Sequence, residues 1–276
     1  MMGRGPAYPA VLPSPETPDI GTLARAVLDG QVRLVCVLGP TASGKTRFAV
    51  TLAKRLSPLI AEKFCGAEIL SADSRQVFRG MDIGTGKDLD EYDGIPYHLI
   101  DILPAGADFS VYEFKKRFEE AEALVASRGA FPILCGGTGL YINSVAAGYR
   151  FGEARPLSSP RAGAGDGIHF FGTLVDREER NRRIDRRLDE RLAGGLVEEV
   201  RRLLDEGVGA AKLISYGLEY KYVTRYVLGE IDFGTMREQL SIAIHRFAKR
   251  QMTWFRGMER SGIRIHWVLP DSIVNR

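Results

Sequence analysis

One octapeptide limits the architectures open to this chain more than any other segment. Gly39-Pro40-Thr41-Ala42-Ser43-Gly44-Lys45-Thr46 fits the pattern G-x-x-x-x-G-K-[ST] at every fixed position. Before it, Val32 to Leu38 is apolar and rich in β-branched residues; after it, Phe48 to Leu56 places apolar residues at helical spacing. A strand, a glycine loop and a helix in this order belong to an α/β architecture with a parallel sheet. The glycines let the backbone curl so that successive N–H groups face one concavity, and the helix N-terminus adds its positive dipole end. Such a loop seats a di- or triphosphate. Gly39, Thr41, Ala42, Ser43 and Gly44 form the cradle, Lys45 neutralises terminal oxygens, and the Thr46 hydroxyl is placed to ligate Mg²⁺. Kinases, NTPases and some transferases share this cradle, so the rest of the chain has to decide between them.

With 276 residues the chain can bury one sizeable core. No apolar run is long enough to span a bilayer, and Met1 to Asp19 lacks the basic start and apolar centre of a secretory signal. That segment reads as a disordered leader, followed by a short amphipathic helix from Gly21 to Gly30. Residues 31–276 read as the phosphate-loop domain, monomeric. Cys36, Cys65 and Cys135 lack metal-ligand spacing and suit a reducing cytoplasm. A net charge of +3 identifies no partner by itself, but basic residues gather toward the C-terminus.

In chain order, Ala67 to Ala72 is a short strand ending on Asp73-Ser74-Arg75-Gln76. Ligands of open parallel sheets bind outside the carboxyl ends of strands, which puts Asp73 on the phosphate-loop rim, either as a reacting group or as a helix cap. Val77 to Lys87 has neither period and reads as a structured loop, either the wall of a second substrate's site or a plain surface connection. Tyr97 to Ile102 reads as a strand, with His98 either contacting phosphate or satisfied within it. Val111 to Arg128 is a helix with Phe114, Phe118, Ala121 and Leu124 inward. Phe131 to Cys135 is a strand that opens into Gly136-Gly137-Thr138-Gly139, bringing the Thr138 hydroxyl to the same rim. Tyr149 to Gly167 is a loop, and His169 to Leu174 a strand. Asp176 to Glu206 is a helix or helix pair with alternating charges; Arg183 and Arg187, one turn apart, can reach a phosphate site from the side. Ile242 to Gly257 is a helix with Ile244, Phe247, Ala248, Gln251 and Phe255 inward. Arg246, Lys249, Arg250, Thr253 and Arg256 occupy its other side, either the footprint expected for a nucleic-acid backbone or a solubilising face. Ser261 to Val268 closes the sheet.

Six of these stretches together resemble the tRNA dimethylallyltransferases, also called tRNA isopentenyltransferases: Gly39–Thr46, Ser71–Lys87, His98–Ile102, Gly136–Tyr141, Arg183–Val200 and Ala248–Gly257. The resemblance implies a P-loop NTPase-like parallel sheet flanked by helices, with a helical, basic C-terminal portion. It implies transfer of a dimethylallyl group from dimethylallyl diphosphate to an adenosine amine beside the tRNA anticodon. Two departures stand out. Where the family carries a helical insert that grips the anticodon stem, this chain has only the short stretch 149–167. At Ser215-Tyr216-Gly217-Leu218-Glu219 the family tends to place a basic residue after Gly-Tyr; Glu219 cannot make that phosphate contact, and Lys221 is the nearest sequence candidate for it.

On this reading Asp73 accepts the amine proton, Thr138 orients the amine or Asp73, and Arg187 stabilises the leaving diphosphate, with Arg183 beside it. Ser74, Arg75, Gln76, Arg246, Lys249 and Arg250 hold the RNA strand, and the target base leaves its stack to reach the crevice. An adenylate isopentenyltransferase, a small-molecule kinase with Asp73 at its Mg²⁺, and an RNA-binding protein with an inactive loop are the competing readings.

Overall fold

The computed structural model describes residues 13–147 and 165–273. Helix α1 (Ile20–Leu28) precedes strand β1 (Leu34–Leu38), the phosphate loop and α2 (Lys45–Leu56). Next come β2 (Ala67–Ser71), β3 (Phe78–Arg79), β4 (Tyr97–His98), β5 (Leu103–Pro104), α3 (Val111–Ser127), β6 (Phe131–Gly136) and α4 (Gly139–Ala146). Strand β7 (Ile168–Thr173) leads into α5 (Arg177–Ala193), α6 (Leu196–Asp205), α7 (Ala210–Ser215), α8 (Leu218–Val227), α9 (Phe233–Arg260) and β8 (Ile265–Val268). Six strands form one parallel sheet in the order β4-β2-β6-β1-β7-β8, and β3 pairs with β5 in a separate two-stranded ribbon.

Because the sheet is parallel and covered on both faces, its central strands are apolar throughout. On β1, Leu34, Cys36 and Leu38 face a core shared with Phe114, Phe118, Tyr141 and Phe255 of α3, α4 and α9. Val35 and Val37 face the opposite core, with Val27 of α1 and Phe48 and Leu52 of α2. Phe114 and Tyr141 stack at 4.1 Å and 11°, worth about 1 kcal/mol beyond their buried area. A third core joins α5 to α9 with Val77, Phe78 and Met81, and so fastens a helical lobe to the loop after β2.

Helix starts follow their caps. Ser110 and Glu113 form a capping box for α3, Asp176 accepts from the N–H groups of Glu178 and Glu179 for α5, and Asp232 accepts from that of Thr235 for α9. The stretch expected as a helix or helix pair is a pair, separated by Gly194 and Gly195, the latter at φ 101°.

Several expectations are corrected. The buried stripe of α3 is Phe114, Phe118, Ala121 and Val125, whereas Leu124 is 43% exposed. Residue 125 lies eleven positions, three helical turns, from 114, while residue 124 is rotated a further 100° off that line. The strand at Tyr97 is only two residues long; of the two readings of His98, that of a satisfied strand histidine fits, since it bonds Glu68 of β2 at 2.5 Å. The leader is not wholly disordered: the Glu16 N–H donates to the Trp267 carbonyl at 2.6 Å, because the outer edge of β8 presents open backbone groups. Residues 1–12 of that leader, and 149–164 of the stretch in place of the insert, lie outside the described residues. Among the described residues no helix is long and apolar enough to cross a membrane.

Candidate active site

Strands β1, β2 and β6 are neighbours, and their carboxyl ends deliver the phosphate loop, Asp73 and Gly136-Gly137 to one rim. A polar cavity opens there. Its walls include Thr41, Lys45, Thr46, Asp73, Arg75, Gln76, Arg187 and Gln251.

The loop is wound tightly. Gly44 sits at φ 76° and Ala42 at φ 61°, a left-handed conformation that costs a residue with a Cβ about 1–2 kcal/mol. Such conformations turn N–H groups into a concavity and persist at ligand-binding turns. Gly39 has no alternative, since a Cβ there would lie 2.2 Å from the Thr173 hydroxyl and 2.5 Å from that of Ser43. Those two hydroxyls share a buried 2.6 Å hydrogen bond, so the Ser43 side chain braces the loop from behind. The Lys45 and Thr46 side chains hydrogen-bond to none of the described residues although both line the cavity. Burial lowers the Lys45 pKa from its ordinary value, with Cys135 and Asp73 working in the opposite direction. The ammonium thus stands half-buried without an acceptor, the state an anion would relieve.

Asp73 caps a turn rather than the helix that was the alternative to a reacting role, because residues 74–77 run directly into β3. Its Oδ1 accepts from the N–H groups of Arg75, at 2.9 Å, and Gln76, at 3.4 Å, while Oδ2 accepts nothing among the described residues. One oxygen fixes the carboxylate and the other is unengaged, in a residue that lines the cavity. Thr138 does not line the cavity: its Oγ1 accepts from the Ser74 N–H at 3.1 Å, so it holds the Asp73 turn from outside. Ser74 is likewise absent from the wall. Arg75 points inward and donates to the Glu219 carboxylate at 2.5 Å, leaving its side chain 15% exposed, not on an RNA-facing exterior. Burial opposes its charge, but Glu219 and Asp73 more than offset that and raise its pKa.

On α5 the stripe is displaced by one turn from the expected pair. Arg187 lines the cavity and bonds Asp88, whereas Arg183 is held by Glu179 at 2.7 Å and does not reach it. The inward-facing partner of Arg187 is Arg191. Lys221 is also outside the wall, its ammonium 5.4 Å from the Tyr222 ring centre. Arg246, Lys249 and Arg250 lie on the exposed side of α9.

Sequence reading missed Arg191, Asp88, Glu91, Tyr92 and the role of Gln251. Arg191 continues the four-residue spacing of Arg183 and Arg187, a signal open to inspection. Glu91 has its pKa raised, first by burial and then by Asp88, against Arg187 and Lys45. Gln251 reaches from α9 to both glycine loops: Oε1 accepts from the Thr41 N–H at 2.8 Å, and Nε2 donates to the Gly137 carbonyl at 2.9 Å. The Thr41 amide is therefore already engaged, and an anion in the cradle depends on the amides after it. The loop after Asp73 is equally fixed. Buried Glu199 accepts from the N–H groups of Asp82 and Ile83 at 2.8 Å each, from that of Gly84 at 3.1 Å, and from the Tyr220 hydroxyl at 2.7 Å.

Comparison with known proteins points the same way. A family model described as IPP transferase matches residues 76–166 and 156–258. A tRNA dimethylallyltransferase of Azobacteroides pseudotrichonymphae is 42% identical over 294 aligned positions, which cover 86% of this chain and 93% of the relative. Since 86% of 276 residues is about 237, roughly 57 residues of the relative face a gap here. Two solved tRNA isopentenylpyrophosphate transferases share the fold at 30% identity. The one from Bacillus halodurans has a TM-score of 0.73 over 86% of this chain and 90% of its own; the one from Staphylococcus epidermidis has 0.71 over 86% and 93%. With the phosphate loop, Asp73, Arg187 and the α9 residue Gln251 gathered around one rim, and with these matches over most of its length, the chain belongs to the tRNA dimethylallyltransferase family.

Proposed function

We propose that this chain transfers a dimethylallyl group from dimethylallyl diphosphate to the exocyclic N6 amine of an adenosine beside the tRNA anticodon, in the cytoplasm. The observation that carries the proposal is the pairing, in one cavity, of an acceptor-less Lys45 ammonium with the unengaged Oδ2 of Asp73. On this reading the first seats the leaving diphosphate. The second takes the proton.

The adenine amine is a weak nucleophile because its lone pair is delocalised into the ring. It attacks C1 of the dimethylallyl group as the bond from C1 to the diphosphate oxygen breaks, and the electron pair leaves with the diphosphate. Lys45, the loop amides after Thr41 and Arg187 meet the charge that develops there, with Asp88 surrendering Arg187 to the ligand. The amine proton passes to Asp73 Oδ2, which Thr138 steadies through Ser74. The Thr46 hydroxyl, on the cavity wall and without a hydrogen bond among the described residues, fits Mg²⁺, which is commonly held by one or two protein oxygens plus substrate phosphates and water. Thr46 would supply the protein oxygen, and the ion would neutralise charge on the diphosphate. The basic side of α9, with Arg246, Lys249 and Arg250, follows the RNA backbone, and Gln76 meets the extruded base at the mouth.

The test is mass spectrometry of adenosines after incubation with dimethylallyl diphosphate and Mg²⁺, with an anticodon stem-loop and with AMP as separate acceptors. Prenylated adenosine in the stem-loop is expected. Prenylated AMP with unmodified stem-loop would reassign the acceptor, and no transfer to either would refute the proposal.

A further inference from the structure

Arg191 has no assigned role, yet it is the second arginine of α5 on the cavity wall, one turn beyond Arg187. Its guanidinium lies so close over Gly86 that a Cβ there would come within 2.0 Å of Nη2, and its side chain is 19% exposed. One of its five donors is engaged among the described residues: Nη1 bonds Glu219 Oε1 at 3.1 Å. Glu219, 2% exposed, uses its second oxygen for Arg75. One buried carboxylate thus sits between two guanidinium groups on the wall of a cavity that also holds Lys45 and Arg187. An ion pair this deep gains little stability for its desolvation cost. It does fix direction, since a guanidinium anchored at one end presents its remaining donors as a rigid fork.

We infer that Arg191 is a diphosphate-binding residue of this chain and that Glu219 is its positioning residue, holding the fork toward the oxygens that Lys45 and Arg187 also face. The acidic residue at position 219 thereby serves an anion site indirectly, through the arginine it anchors. Lys221, outside the wall, takes no part. The inference rests on the proposed transfer reaction.

Inorganic pyrophosphate binding, measured by titration calorimetry on the full chain with Mg²⁺, tests it, alongside KM for dimethylallyl diphosphate. Glu219 keeps Arg75 when Arg191 is replaced, so Arg191→Gln leaves no isolated buried charge. Loss of one charge-assisted contact corresponds to about a ten- to hundredfold weaker Kd and a similar rise in KM, with KM for the stem-loop within about twofold. The fitted stoichiometry reports the folded fraction, which separates weak binding from failed folding, and Arg191→Lys, which keeps charge and stem, should fall between. Glu219→Gln removes a negative charge and would tighten pyrophosphate binding if charge alone mattered. A positioning role instead weakens it about fivefold in the parent chain and less than twofold in Arg191→Gln. Pyrophosphate binding in Arg191→Gln within twofold of the parent overturns the assignment of Arg191. Tightening by Glu219→Gln, or an equal effect in both backgrounds, overturns the role of Glu219. A parent chain that neither binds pyrophosphate nor transfers the dimethylallyl group refutes the underlying reaction, a separate result.

Discussion

Gln251→Leu removes two hydrogen bonds while nearly preserving volume, so its cost can be worked from the structure. The Gly137 carbonyl is buried, and losing its 2.9 Å donor leaves it orphaned, at about 1–3 kcal/mol. The Thr41 N–H loses a 2.8 Å acceptor but borders the cavity, where water can reach it, so about 1 kcal/mol applies. The sum, about 2–4 kcal/mol, corresponds to roughly 5–15 °C in melting temperature for a domain of this size. A second effect is specific to the site. With Thr41 released, the first turn of the phosphate loop has to be ordered by the ligand, and ordering one residue costs about 1–2 kcal/mol. KM for dimethylallyl diphosphate should rise about five- to thirtyfold, beyond what lost stability explains, since unfolding lowers the active fraction and not the affinity. Thermal melts followed by circular dichroism and steady-state kinetics at 25 °C measure the two effects. A variant that melts within 2 °C of the parent with an unchanged KM would refute the idea that Gln251 joins the two loops energetically.

Asp73→Asn keeps an oxygen for the Arg75 and Gln76 N–H groups but cannot take a proton, so kcat should fall about a hundred- to ten-thousandfold while pyrophosphate Kd stays within a few-fold; equal loss of both would make Asp73 structural. Lys249→Glu with Arg250→Glu should weaken stem-loop binding and flatten its dependence on salt by about one unit of log–log slope per lost phosphate contact, without changing pyrophosphate affinity; an unchanged slope would remove α9 from the RNA path. His169 has its pKa lowered to about 4 by burial, then by His266 and Arg264. Because its folded value lies below the unfolded value of about 6.5, it contributes stability that is fully present above pH 6.5 and lost as pH falls toward 4. His169→Gln should flatten the fall in melting temperature over that range, and parallel curves for variant and parent would show that His169 does not drive it.

What could be read before the structure divides by the reach of the interaction responsible. The phosphate loop was legible because its glycines and Lys45 answer to a local backbone shape, and Asp73 because a strand ending at a parallel sheet's rim fixes where its last residues go. Strands β1, β2, β6, β7 and β8 were visible as apolar runs bounded by glycine or proline. Helices α7 and α8 and the first turns of α9 were not, since Lys212, Lys221 and the tyrosines of α8 interrupt the apolar pattern that only packing in the third core completes. The site residues that escaped notice depend on distant partners. Gln251 meets Thr41 across 210 positions and Glu219 meets Arg75 across 144. Arg183 and Arg187 looked equivalent, and only Glu179 and Asp88 distinguish them.

The contact of Gln251 with both glycine loops also says something about the order in which the molecule comes into being. Strands β1, β2 and β6 are all complete in the sequence by residue 136, far ahead of Gln251. A chain that has grown only that far carries both glycine loops without the side chain that joins them. Any chain that ends before Gln251 holds the segments of β1, β2 and β6 and a glycine loop, yet lacks the side chain that ties that loop to the turn after β6.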